Sequence, residues 1–169
     1  MLYLELIFVA LLNIAVTVFL YLLDGKTAFG KLKYGTKQMI TGIVFGILSV
    51  CGTEFGVNIG GAILNVRDTA PLCAGLIFGG PAGIIAGIAG GVERWFAVLW
   101  GAGTYTRLAC SISTVLAGFI AAALRKLMFD NKKPAWQYGL AIAAIVELIH
   151  MLMILSLIHI SEPTRPISI

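Results

Sequence analysis

Charged residues are what this sequence has least of. Asp, Glu, Lys and Arg make up only 12% of its 169 residues, about half the share of an ordinary soluble domain. So few charges cannot coat a globule in water, which excludes a free-standing soluble fold. Cysteine is sparse as well: Cys51, Cys73 and Cys110 lie far apart, in or beside apolar runs. No C-x-x-C spacing is present, so a thiol metal site or redox pair of that kind is excluded and no disulfide is expected. No basic stripe alternates with aromatics, so the net charge of +4 is not a nucleic-acid footprint. No nucleophile stands beside a base or a metal cluster. The sequence is therefore expected to carry no catalytic residue, no cofactor and no bound metal.

What remains is apolar. Hydrophobic residues reach 59%, mean hydropathy is +0.97, and the charges fall in short stretches between apolar runs. This predicts an all-α integral membrane protein, a bundle of about five transmembrane helices with a glycine-rich third helix prone to breaking. The first run, residues 2–23, is about 22 residues long, enough at 1.5 Å per residue to span roughly 30 Å of hydrocarbon. It lacks a basic start and a small-residue cleavage site, so it reads as a retained helix. A loop with Lys26, Lys31, Lys33 and Lys37 follows. The second run begins near Gln38 and fades between Cys51 and Gly56. In the third, residues 71–92, Gly79, Gly83 and Gly87 recur every four residues, leaving a flat face for close helix packing. Gly79-Gly80-Pro81 is expected to kink or break that run. The fourth run, residues 108–127, ends among Arg125, Lys126, Asp130, Lys132 and Lys133. The fifth starts near Trp136 and passes Glu147 and His150 to at least Ile154.

Residues 52–69 differ in kind, because Thr53, Glu54, Asn58, Asn65, Arg67 and Asp68 stand there among glycines. Irregular backbone at membrane depth needs protein or a water-filled cavity to satisfy it, so the stretch is either an exposed loop or the lining of a site. Arg67 and Asp68 precede a helix. They read either as an anion site with its N-terminal amides or as an ordinary ion pair, with Asp68 or Thr69 as the cap. Glu93-Arg94 closes the third run, and Thr104 lies in the short connection after it. Glu147 and His150, three residues apart, share a helix face. Their spacing is not that of H-E-x-x-H, and a mutually satisfied polar pair is the favoured reading over catalysis.

The last residues read as foreign. Residues 155–165 match, over eleven positions, one reading frame of a common transposase-type sequencing adapter. Residues 1–154 are therefore taken as the native domain, residues 155–169 are set aside, and the natural chain is expected to continue.

Several motifs in order now resemble a known family. Asn65-Val66-Arg67-Asp68, the glycine ladder from Gly79-Gly80-Pro81, Gly91-Val92-Glu93-Arg94, Gly103-Thr104, Cys110-Ser111-Ile112-Ser113-Thr114 and Glu147-x-x-His150-Met151 are together similar to the LytS-type five-transmembrane sensor domain. Where that family usually has His before Arg, this chain has Glu93. The resemblance implies a multi-pass domain of the bacterial inner membrane joined to a cytoplasmic output module. That module is often a histidine kinase working in a phosphorelay, linked to cell-wall control or nutrient sensing. The implied partners are the lipid bilayer, an unknown small ligand, a response regulator and a second copy in a homodimer, but no nucleic acid. Ligand or signalling candidates are Asn65, Arg67, Asp68, Glu93, Arg94, Thr104, Glu147 and His150. Rival readings are the substrate-binding subunit of a vitamin-type transporter and, last, a membrane-embedded enzyme.

Topology strains this picture. Five simple crossings would put the basic loops at 26–37 and 125–133 on opposite faces, although Lys and Arg favour the cytoplasmic side. Either one loop violates the rule, or the chain between Gly52 and Trp100 crosses once more. A split at Gly79-Gly80-Pro81 or a re-entrant stretch after Gly52 would supply that crossing.

Overall fold

The computed structural model describes residues 2–26, 28–59, 62–101, 104 and 106–161. The apolar runs form helices α1 (Leu2–Lys26), α2 (Tyr34–Glu54), α3 (Thr69–Cys73), α4 (Gly80–Phe96), α5 (Arg107–Leu127) and α6 (Trp136–Ser161). Five of them, all but α3, are long and apolar enough to cross a membrane, α4 with the 3-10 turn Ala97–Trp100 that extends it. A small antiparallel hairpin, β1 (Val57–Ile59) with β2 (Ala62–Leu64), sits between α2 and α3, with Val57 opposite Leu64. Its short run of β-branched and apolar residues was not anticipated as strand. The α6 helix continues through residues 155–161, and residues 162–169 of the suspected adapter segment lie outside the described residues.

The third apolar run is two helices rather than one. From α3 the chain passes through a π-helical turn, Ala74–Phe78, and stops at Gly79. It restarts as α4 with Pro81 in the first turn, where a missing N–H leaves no intrahelical bond unmade. Such a break strands backbone groups that lipid cannot satisfy. Buried Gln38 of α2 meets them: its Nε2 donates to the Phe78 carbonyl at 3.0 Å, and its Oε1 accepts from the Ala82 amide at 3.2 Å. On the other side Arg125 donates from Nη1 to the Leu76 carbonyl at 2.8 Å.

Small residues bring α2, α4 and α5 together. A Cβ on Gly42 would lie 2.7 Å from the Ile85 Cβ, and one on Gly87 would lie 2.9 Å from the Thr114 carbonyl oxygen. Gly83 faces the Gly75 Cα and the backbone of Gly118. Two members of the predicted ladder, Gly83 and Gly87, thus serve helix packing, while Gly79 occupies the break beneath the Gln38 side chain.

These contacts also fix direction. Gly42 meets Ile85, Gly46 meets Ala89, and Glu54 reaches Trp100, so α2 and α4 run parallel. Between two parallel helices the chain must return, and α3 with its π-helical turn makes that return, antiparallel to α4. The described chain therefore runs along the bundle six times. The loops after α1 and α5 then share one end, where Lys133 bonds and stacks on Tyr21 of α1 and Lys37 pairs with Asp24. The short return through Thr69–Phe78 thus brings the two basic loops to the same end of the bundle, which relieves the strain in the charge pattern.

Candidate functional site

At the opposite end from the basic loops, the chain dips from the hairpin back into the bundle at Arg67 and Asp68. The entry is possible because α2 has Gly52 there: a Cβ at that position would lie 2.7 Å from the Arg67 Cα. Both side chains are buried, at 0% and 3% exposure, so this end of the 52–69 stretch is packed inside the protein.

The Arg67 side chain bonds to the helices on either side of it. Its Nε donates to Thr114 Oγ1 at 2.6 Å, its Nη2 to the Cys110 carbonyl at 3.3 Å and its Nη1 to Thr53 Oγ1 at 3.4 Å. The backbone is held too, with Ser49 Oγ donating to the Arg67 carbonyl and the Arg67 amide donating to Asn65 Oδ1. Asp68 stands at the N-terminus of α3 but does not cap it with its side chain. Instead its Oδ1 accepts from Thr114 Oγ1 at 2.6 Å and lies 3.5 Å from Arg67 Nε. Its Oδ2 accepts from Ser113 Oγ at 3.1 Å and lies 3.0 Å from His150 Nδ1. Thr114 links the pair, accepting from the guanidinium and donating to the carboxylate.

The predicted residues divide accordingly. Asn65, Arg67, Asp68 and His150 converge on one cluster, and Glu147 stands at its edge. Glu147 and His150 do pair, His150 Nδ1 lying 3.9 Å from Glu147 Oε1, but His150 is nearer Asp68, at 3.0 Å from its Oδ2. Arg94 is fully buried and donates from Nη2 to Thr106 Oγ1 at 3.2 Å, with half-buried Glu93 beside it in sequence. Thr104 is exposed, and its carbonyl accepts from the Arg107 amide. The polar partner in that connection is Thr106, two residues on.

Sequence reasoning passed over Ser49, Thr53, Ser113 and Thr114 as site residues. Their signal was present. Ser49 and Thr53 are four apart on α2, and Cys110, Ser113 and Thr114 share one face of α5. Polar residues stacked on one face of an apolar span tend to point inward.

Comparison with known proteins agrees with this architecture. Residues 29–164 match the family described as 5TMR of 5TMR-LYT. The sensor histidine kinase BtsS of Escherichia coli (strain K12) is 29% identical over 119 residues, covering 68% of this chain and 20% of that protein. The sensor histidine kinase YpdA of the same strain is 28% identical over 112 residues, covering 66% of this chain and 19% of that protein. The chain thus spans about a fifth of the length of these curated relatives. No solved structure matches it. Relatives that are sensor kinases lend the transporter reading no support. With its apolar spans, its family match and these relatives, the chain is a multi-pass inner-membrane sensory domain, and it belongs to the 5TM-5TMR_LYT family.

Proposed function

We propose that this domain is the input half of a sensor-kinase-like receptor, and that the Arg67–Asp68 cluster is where a small polar ligand is read. The observation that carries the reading is an ion pair buried where irregular backbone from the hairpin enters the bundle. Ionisable groups at such depth are expensive and are kept where they bind or relay. The cluster joins side chains of α2, α5 and α6 to the start of α3, so a ligand that competes for Arg67 or Asp68 shifts how those helices pack. The glycine contacts of α4 offer surfaces along which small displacements can travel.

The full-length receptor would pass the shift to a cytoplasmic output module and from there to a response regulator, acting as a homodimer. Cell-wall state or nutrient supply is the class of input that fits the family. Autophosphorylation of full-length protein, or a reporter of its output in cells, tests the proposal. Arg67→Ala is expected to lock the output in one state across growth conditions, and Thr114→Val to blunt the response with normal membrane levels. A full-range response in both variants would refute the assignment.

A further inference from the structure

We infer that Asp68, Glu147 and His150 together form a binding site for a divalent transition-metal cation of the zinc type. The sequence alone gave no reason to expect a metal, because the third ligand lies far from the other two along the chain. In the fold, one ligand atom from each residue lies within 4.8 Å of the others. His150 Nδ1 stands 3.0 Å from Asp68 Oδ2 and 3.9 Å from Glu147 Oε1. Ligands held about 2.0–2.2 Å from one zinc ion are themselves roughly 3–4 Å apart. The observed separations need only a small swing of Glu147, whose side chain is 53% exposed and free to make it.

Three further features point to a ligand. His150 is 5% exposed; its Nδ1 faces the Asp68 carboxylate, but among the described residues neither ring nitrogen makes a hydrogen bond of good geometry. A buried imidazole without such bonds is costly unless something else uses its lone pair. Glu147 places a carboxylate in the middle of a membrane span, where a cation would neutralise it. Asp68 is already oriented, since Thr114 and Arg67 occupy the Oδ1 side and Ser113 steadies Oδ2. Such outer partners are what metal-ligating carboxylates usually have.

The donor set selects the ion. Glu-x-x-His on one helix, completed by a carboxylate from another element, is a recurrent way for helical bundles to hold transition metals. One imidazole with two carboxylates suits zinc or cobalt better than magnesium or calcium, which favour oxygen alone. Three protein ligands leave a coordination position for water or an incoming group. The site also lies across a weak joint, because α6 packs on the rest of the bundle mainly through Ile142, Ala143 and Val146. Metal occupancy would pin α6 to the start of α3.

Co²⁺ titration of chelator-stripped full-length protein in lipid nanodiscs tests this. One equivalent per chain is expected to give visible d–d absorption without a thiolate charge-transfer band, displaced by Zn²⁺. His150→Ala should weaken binding about 100-fold and Glu147→Gln at least about 10-fold. The wild type showing no stoichiometric band overturns the site, and so does equal affinity in both variants; the first would mean that His150 and Asp68 are only a proton-linked pair. Glu147→Gln, at a half-exposed position, decides the matter if His150→Ala does not fold.

Discussion

Three inner helices and two outer ones are built on opposite principles. In the spans of α2, α4 and α5, 44% of the most apolar stretch is buried, against 17% for α1 and 11% for α6. The inner three approach through glycine and alanine, so their backbones come close together at several points. Lipid is as apolar as leucine, so inside a membrane such close packing, rather than hydrophobicity, holds helices together. The outer two present Leu, Ile and Phe on nearly all sides and attach through few residues: Leu12, Val16 and Leu20 for α1, Val146 and His150 for α6. The inner group forms a fixed frame around the buried ion pair. The outer helices are the parts with least to lose by moving, and α6 carries His150 into the cluster.

The contrast depends on α2 and α4 running parallel, which has an all-or-none consequence. Cysteines introduced at Lys31 and Lys132 should react together, from the cytoplasmic side, with a membrane-impermeant maleimide. One introduced at Gly101 should react from the other side. Eight of the twelve Lys and Arg residues lie in or beside the two loops at the basic end, which sets that orientation. Labelling of Lys31 and Lys132 from opposite faces would dissolve the frame. In this orientation α6 ends on the face away from the basic loops, so a cytoplasmic output module joined after it needs an odd number of further crossings.

The next largest effect lies where α5 meets the backbone of α4 most closely. A Cβ at Gly118 would collide with the Gly83 carbonyl, and a backbone carbonyl in a ladder cannot swing aside. Gly118→Val is expected to cost at least about 1–3 kcal/mol, read as a drop in thermal stability in detergent. Gln38→Leu tests the break between α3 and α4 at a somewhat smaller cost. It keeps the shape but leaves the Phe78 carbonyl and the Ala82 amide without their partner, at about 1–3 kcal/mol. Unchanged stability would mean that the break is satisfied by other means.

What the sequence disclosed follows the same division. Apolar length alone located α1, α2, α5 and α6, because a span must be long and greasy whatever it packs against. The glycine ladder announced close packing, and Arg67 and Asp68 announced a site by being charged in an apolar chain. Gln38 gave no such signal. At the start of a span it reads as an interfacial residue, and its role exists only once the break at Gly79 has folded against it. His150 pointed to Glu147 by spacing, whereas its nearer partner, Asp68, is eighty-two positions away and visible only through the return of α3. Contacts within one helix are legible from periodicity; contacts made by the extra crossing are not.

The smallest predicted effect is the most discriminating for the outer helices. Gly139 of α6 has nothing within 4 Å of where a Cβ would stand, unlike Gly118, although both are glycines in apolar helices. If the frame alone requires glycine, Gly139→Ala should be neutral or stabilise α6 by up to about 1 kcal/mol through helix propensity. Thermal unfolding of the full-length protein beside Gly118→Val makes the comparison in one experiment. A loss at Gly139 comparable to that at Gly118 would mean that α6 meets a close neighbour in the native assembly, such as a second copy or another span of the same chain. The distinction between frame and periphery would then hold only within the residues described.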